Sequence, residues 1–173
     1  MKIIKTRKFI LRPISPDDAK DLARNMNNWN IIRNLSQIPF PYELKHARQF
    51  ARKMEKEMSR ENTQNYVMVI EINNEVVGAI GAHKIIHGHK ADMGYWLAEK
   101  CWGNGIMPDA VKKFMVHIFV EFKLHRIYSE IYSHNQPSMR VMEKVGMQFE
   151  GIKRKGALKD GKYIDCHVFA KVK

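Results

Sequence analysis

GYWLAEKCWGNGIMPDAVKKF, residues 94–114, runs a strand, a glycine-bearing loop and a helix together without a break. Gly103 and Gly105 interrupt the chain, and Ala110, Val111, Phe114 and Met115 then recur at helical spacing. Glycine tolerates positive φ and lets backbone come close to a ligand. The first N–H groups of a helix have no partner inside it, so at such a loop they converge on one point and suit a phosphate. Met107-Pro108 stands where a dinucleotide fingerprint would carry its third glycine, and no Gly-Lys-Ser/Thr follows as in a Walker loop. Taken alone, the stretch reads equally well as a left-handed turn between strand and helix.

Outward from this loop, the strand covers residues 91–97 and the helix about 108–122, with Ile118 and Phe119 also inward. Upstream, residues 9–14 form a first strand. Ser15-Pro16-Asp17-Asp18 starts a helix to about residue 26: Ser15 caps, Pro16 fits the first turn, and the acids suit the positive end of the dipole. A second helix, about 43–60, carries the stripe Ala47, Phe50, Ala51, Met54 and Met58. Strands 66–72 and 76–86 flank an Asn73-Asn74 turn, and His87-Gly88-His89 is the next turn. Downstream come strand 126–133, helix 137–145, strand 149–158, turn Asp160-Gly161 and strand 163–172. An antiparallel front half with a strand–helix–strand centre is an α/β (α+β) chain with a mixed sheet.

The 173 residues contain no repeat, low-complexity segment or linker, so one domain spanning 1–173 is expected. No apolar run approaches a membrane span: the longest are residues 76–82 and 114–120, the latter broken by His117. The opening MKIIKTRKFI lacks the apolar core of a signal peptide. Cys101 and Cys166 are too few for a disulfide framework and have no zinc spacing, which predicts a reducing, cytoplasmic setting. Thirty basic against eighteen acidic residues give a net charge of +12, which favours an anionic partner without choosing among nucleic acid, membrane surface and phosphorylated cofactor.

A second stretch narrows that choice. Residues 134–151, HNQPSMRVMEKVGMQFEG, hold a strand end, Asn135, a short amphipathic helix, Gly146 as its cap and another strand. Lys100-x-x-Gly103-x-Gly105, followed by Asn135-x-x-Ser138 and Glu143-Lys144-x-Gly146-x-x-x-Glu150-Gly151, resembles the GNAT superfamily of acyl-CoA-dependent N-acetyltransferases. The Leu11-Arg12-Pro13 opening and the Asp160-Gly161-Lys162-Tyr163-x-Asp165 ending are similar to its ribosomal-protein N-terminal (Rim-type) and spermidine acetyltransferase subgroup. Two departures stand out: Lys100 replaces Arg or Gln, and Met147 replaces Phe with similar volume.

The resemblance implies a mostly antiparallel, twisted sheet flanked by helices, and acetyl-CoA as co-substrate with no metal. It implies direct attack of an amine in a ternary complex. Strand 91–97, ending in Trp96 and Leu97, would supply backbone hydrogen bonds to pantetheine. Trp102, Gly103, Asn104, Gly105, Ile106 and Met107 would hold the pyrophosphate, and Asn135 would orient the pantetheine arm. Many members place an acidic tyrosine seven residues after that asparagine, where this chain has Met142. Ser138 is then the candidate hydroxyl for the departing thiolate, with helix capping or packing as its alternative role. Glu130 and Asp92 are the candidate bases, with a solvated strand-face carboxylate as the alternative for each.

His83, His87 and His89 read as turn histidines rather than metal ligands, Cys101 as a packed thiol, and Tyr95 as part core, part pantetheine wall. Lys153-Arg154-Lys155 reads as a solvated strand or a contact for an anion. The expected acceptor is a protein N-terminal α-amine such as that of a ribosomal protein, and a homodimer is the family-level expectation. A small amine (polyamine or aminoglycoside) and a non-catalytic basic RNA- or ribosome-binding module on the same fold stay open. The scattering of the charge and the lack of an RNA-binding aromatic motif weigh against the module, and the +12 field would repel a polycation.

Overall fold

The computed structural model describes residues 2–173; Met1, the first residue of the amino-terminal stretch read above, lies outside the described residues. Strands β1 (Ile4–Lys5) and β2 (Ile10–Pro13) lead into a 3-10 turn at Pro16–Asp18 and helices α1 (Ala19–Met26), α2 (Trp29–Ile32) and α3 (Leu44–Met58). Strands β3 (Tyr66–Ile72), β4 (Glu75–Ile86) and β5 (Lys90–Leu97) follow, then a 3-10 turn at Glu99–Cys101 and α4 (Ile106–Glu121). The chain ends with β6 (Arg126–Tyr132), α5 (Gln136–Lys144), β7 (Gln148–Lys159) and β8 (Lys162–Val172). One eight-stranded sheet has the order β1-β2-β3-β4-β5-β6-β8-β7. Every pairing is antiparallel except β5 with β6, which α4 joins as a crossover.

The helices form where their signals stand. Ser15 accepts from the Asp17 N–H at 3.2 Å, and the Asp18 carboxylate accepts from the Ser15 N–H at 2.8 Å, a reciprocal capping box. Asp18 is buried, and its charge is met by Arg12 on β2 at 2.7 and 3.0 Å. The same guanidinium donates to Glu71 of β3 at 2.6 Å, so one arginine ties two strands to the start of the helical segment. These hydrogen bonds to two carboxylates push the Arg12 pKa up. Such a pair does more for geometry than for net stability, since desolvation offsets most of its attraction.

α1 and α3 cover one face of β3 and β4, and α4 covers the other. The α4 side is marked by Tyr66, whose ring stacks on Phe114 and meets Phe122 edge-on. All six α4 residues expected inward are buried, together with Ile106, Met107 and His117. His117 interrupts an apolar run yet sits in the core, because its Nε2 lies 3.0 Å from the Tyr66 hydroxyl.

Three expectations are corrected. β1 and α2 were not anticipated, being two and four residues long and too short for a periodic signal. α4 begins two residues early, at Ile106, because Gly105 at φ +71° serves as its N-cap and Pro108 falls inside the first turn. His83 is no turn residue: it lies within β4, opposite Asp92 of β5, and the chain bulges after it where Lys84 takes φ +49°. Among the described residues, no helix is long and apolar enough to cross a membrane.

Candidate active site

The site arises from an incomplete pairing. β5 and β6 run parallel and pair only from Lys90 to Asp92 with Arg126 to Tyr128. Beyond Asp92 they part, while β5 stays bonded to β4 as far as Leu97. Ser129 of β6 closes the base of the opening, its hydroxyl donating to the Met93 carbonyl at 2.6 Å. The remaining β6-facing edge of Gly94 to Leu97 has no strand partner, so its backbone groups, the Leu97 carbonyl apart, are available to an extended ligand laid between the strands.

At the end of β5 the chain turns into the loop expected to hold phosphate. The Trp102 indole N–H donates to the Leu97 carbonyl at 2.8 Å, and the Asn104 amide reaches the carbonyls of Cys101 and Trp102 at 3.4 and 3.2 Å. Gly103 and Gly105 both take positive φ, +79° and +71°. Ile106 and Met107 send their side chains into the core, leaving backbone at the helix start, while the Trp102 and Asn104 side chains stay at the loop surface. α4 has glycine as N-cap and no capping side chain, so the N–H groups at the positive end of a sixteen-residue helix face the loop without a side-chain acceptor, and Asp109 is the one acid of its first turn. Trp96 and Leu97 are buried behind it.

On the α4 side of the opening, the Tyr95 hydroxyl lies 2.7 Å from Ser138 Oγ and 3.3 Å from the Ser138 carbonyl, bridging β5 to α5. Burial pushes the Tyr95 phenol well up, so it keeps its proton at neutral pH. Ser138 does not cap its helix. That task belongs to Asn135, whose side-chain oxygen accepts from the Ser138 N–H at 3.3 Å and whose amide N–H2 remains free to donate. Met142, at the position where many relatives carry tyrosine, is fully buried in the core.

On the opposite face, Asp92 and Glu130 come together beside His83 and Tyr128, because residues paired across strands share a face. Burial pushes the Asp92 carboxyl up, and the Glu130 charge adds to the effect, while Lys84 at 3.5 Å opposes it. Glu130 is more open and is held by Lys153 at 3.1 and 3.2 Å. Burial holds the His83 imidazole below its usual range, and its Nδ1 lies 3.0 Å from Asn65 Oδ1. Two candidate bases and one neutral imidazole therefore face the side covered by α1 and α3, while the hydroxyl pair faces the other.

Sequence reading identified Ser138, Asp92, Glu130, Asn135 and the loop, but not their partners Tyr95, His83, Lys84 and Lys153. Tyr95 and Ser138 are 43 residues apart, a separation that carries no local periodicity. Cys101 is half-buried and its thiol is pushed up by burial, which keeps it protonated and unreactive. Among the described residues, no three His, Cys, Asp or Glu side chains are grouped to hold a metal ion.

A family model described as an acetyltransferase (GNAT) domain matches residues 8–148. The chain is 28% identical to the probable N-acetyltransferase YjcK of Bacillus subtilis (strain 168), with 97% of this chain and 96% of that protein covered. Among solved structures, RimL, a ribosomal L7/L12 α-N-protein acetyltransferase in complex with coenzyme A, matches with a TM-score of 0.89 at 21% identity, covering 99% of this chain and 98% of its own. MccE, a microcin C7 self-immunity acetyltransferase in complex with acetyl-CoA and AMP, matches at 0.87 and 20% identity, covering 97% and 94%. The eight-stranded, mostly antiparallel sheet with its parted parallel pair is the GNAT architecture, and the chain belongs to the GNAT acetyltransferase family.

Proposed function

We propose that the chain moves an acetyl group from acetyl-CoA to an amine by direct attack within a ternary complex. The parting of β5 from β6 after Asp92 supports this most strongly, because it leaves an extended slot of backbone without a strand partner, leading to a helix start with no capping side chain. Pantetheine lies in that slot against Gly94 to Leu97, with the Asn135 amide directing it. The phosphates rest on the N–H groups of Gly103 to Met107, since that of Trp102 already donates to the Glu99 carbonyl. The amine approaches from the α1–α3 face, gives its proton to Asp92, and attacks the thioester carbonyl. As the C–S bond breaks, the Ser138 hydroxyl donates a hydrogen bond to the departing thiolate, which takes its proton from solvent, while the Tyr95 phenol keeps its own proton and orients Ser138.

Asp92 serves as base in preference to Glu130. Its raised pKa brings it nearer the amine's, whereas Glu130 is tied to Lys153 at the surface. The acceptor is a protein N-terminal α-amine, such as that of a ribosomal protein. An α-amine titrates near 8 and is partly neutral at pH 7, so a half-buried carboxylate suffices, whereas a lysine or polyamine amine at about 10.4 asks more of it. The likeness to RimL supports the same acceptor class. The likeness to MccE, solved with AMP, favours a small-molecule acceptor as the second reading. Exposed Trp29 and Phe40 rings, 5.4 Å apart, offer an aromatic surface on a segment anchored to Glu99, beside the loop, through Asn30. A cytoplasmic location and a homodimer belong to this proposal.

The test is turnover of acetyl-CoA across N-terminal peptides, nucleotide-bearing amines, polyamines and aminoglycosides. Preferred use of a peptide α-amine supports the reading, and turnover confined to a small amine replaces the acceptor. Absence of any turnover, together with salt-sensitive RNA binding, would leave the non-catalytic module instead. With the accepted amine, Ser138→Ala is expected to lower kcat about ten- to thirtyfold at unchanged acetyl-CoA affinity. That is less than the 10²–10⁴ of a lone general acid, because the Tyr95 hydroxyl remains within the site. Tyr95→Phe should cost less than Ser138→Ala; the reverse order in single-turnover rates would make the phenol the direct donor.

A further inference from the structure

We infer that Lys8, in the turn joining β1 to β2, completes the phosphate site of the cofactor by donating to one of its phosphates. The inference rests on residues 102–107 being the phosphate loop. Lys8 lies 96 residues from Asn104 in sequence, yet its Nζ approaches the Asn104 carbonyl oxygen at 3.5 Å. The Cβ that Gly105 lacks would point at the same Nζ from 3.9 Å and would meet nothing else within 4 Å. The space left open by the glycine at the start of α4 is therefore faced by one ammonium group.

The backbone that carries that group is held in place. Thr6 Oγ1 accepts from the N–H groups of Lys8 and Phe9 at 3.1 and 2.9 Å and donates to the Phe9 carbonyl at 2.7 Å. Phe9, at 3% exposure, anchors the turn in the core. Lys100, which opens the loop motif, is instead committed to Glu75 at 2.6 Å, and Arg24 is shared between Glu75 and Asp21. Among the described residues Lys8 enters no ion pair. The loop's own donors carry only the partial charge of a helix end, so a whole positive charge beside them adds a distinct contribution. Lys8 acts in binding and stands away from the reacting carbonyl.

Titration calorimetry with coenzyme A and with dephospho-coenzyme A, which lacks the 3′-phosphate, tests this without knowledge of the acceptor. Lys8→Met keeps most of the aliphatic stem and is expected to raise the Kd of coenzyme A about tenfold, in line with the loss of one charge-assisted hydrogen bond. The deficit should shrink as salt screens the pair, and Lys8→Arg should restore most of the affinity. An equal penalty with both ligands places the contact at the diphosphate, and a penalty with coenzyme A alone places it at the 3′-phosphate; either supports the inference. A Kd within twofold of wild type overturns it, as does a loss accompanied by a lower melting temperature of the unliganded protein that Lys8→Arg fails to correct. Gly105→Val separates the two readings: if it abolishes binding while Lys8→Met is silent, the loop stands and only the lysine falls.

Discussion

Replacing Asp92 with asparagine is expected to lower kcat by about two to three orders of magnitude while raising the melting temperature. The first effect is the ordinary contribution of a positioned general base. The second follows from the direction of its titration. Burial raises the Asp92 pKa in the folded chain, so the native state holds that proton more tightly than the unfolded state does. Stability contributed by this carboxyl is present at low pH and is lost as pH rises from the ordinary carboxylate range through the raised native value. At neutral pH the ionised side chain therefore works against folding. The Lys84 contact offsets only part of this, since it is long at 3.5 Å and its side chain is 76% exposed. Asparagine keeps the shape without the half-buried charge.

The pH profile supplies a readout that a structural role would leave alone. In the wild type, kcat/KM should climb as pH passes through the native pKa of Asp92, with a second limb from the acceptor amine. Asp92→Asn should lose the first limb and keep the second. A variant within threefold of wild type that retains both limbs would move the base to His83 or Glu130, the other groups on that face. Glu130→Gln is the internal control, because removing its charge lowers the Asp92 pKa without removing the base.

These expectations combine what a sequence shows with what it hides. β3 has its expected bounds because its largely apolar run, broken only by Glu71, ends at Asn73-Asn74, which supply the two positive φ values, 51° and 62°, that a tight hairpin needs. The stripes of α3 and α4 were legible for the same reason: a period repeated over four turns outweighs local propensity. α2 has one turn and β1 two residues: α2 is held by its Asn28 cap and its buried Ile31 and Ile32, and β1 by pairing with β2. The site divides likewise. Gly103, Gly105 and Asn135 act through backbone conformation or capping, which short spacing encodes. Tyr95 with Ser138, and Asp92 with His83, are products of register and of a bulge at Lys84, which no spacing announces.

Gly105→Val should abolish the thermal stabilisation that acetyl-CoA gives the wild type. A ligand bound only to the folded state at a hundred times its Kd stabilises by about 2.7 kcal/mol. For a chain of this length that corresponds to roughly 5–10 °C in melting temperature. Gly105 stands at φ +71°, where a β-branched residue is strained, so the unliganded variant should itself melt a few degrees lower. The two effects separate cleanly: strain lowers the unliganded melting temperature, whereas a side chain filling the cradle removes the shift on adding ligand. Gly103→Ala supplies the comparison, since its Cβ would meet open space and its methyl is small. It should melt lower through the same left-handed strain yet keep most of the ligand shift. If Gly105→Val keeps the full shift, the phosphates do not lie on this loop, and the positive end of α4 would then be a structural consequence of a glycine N-cap alone.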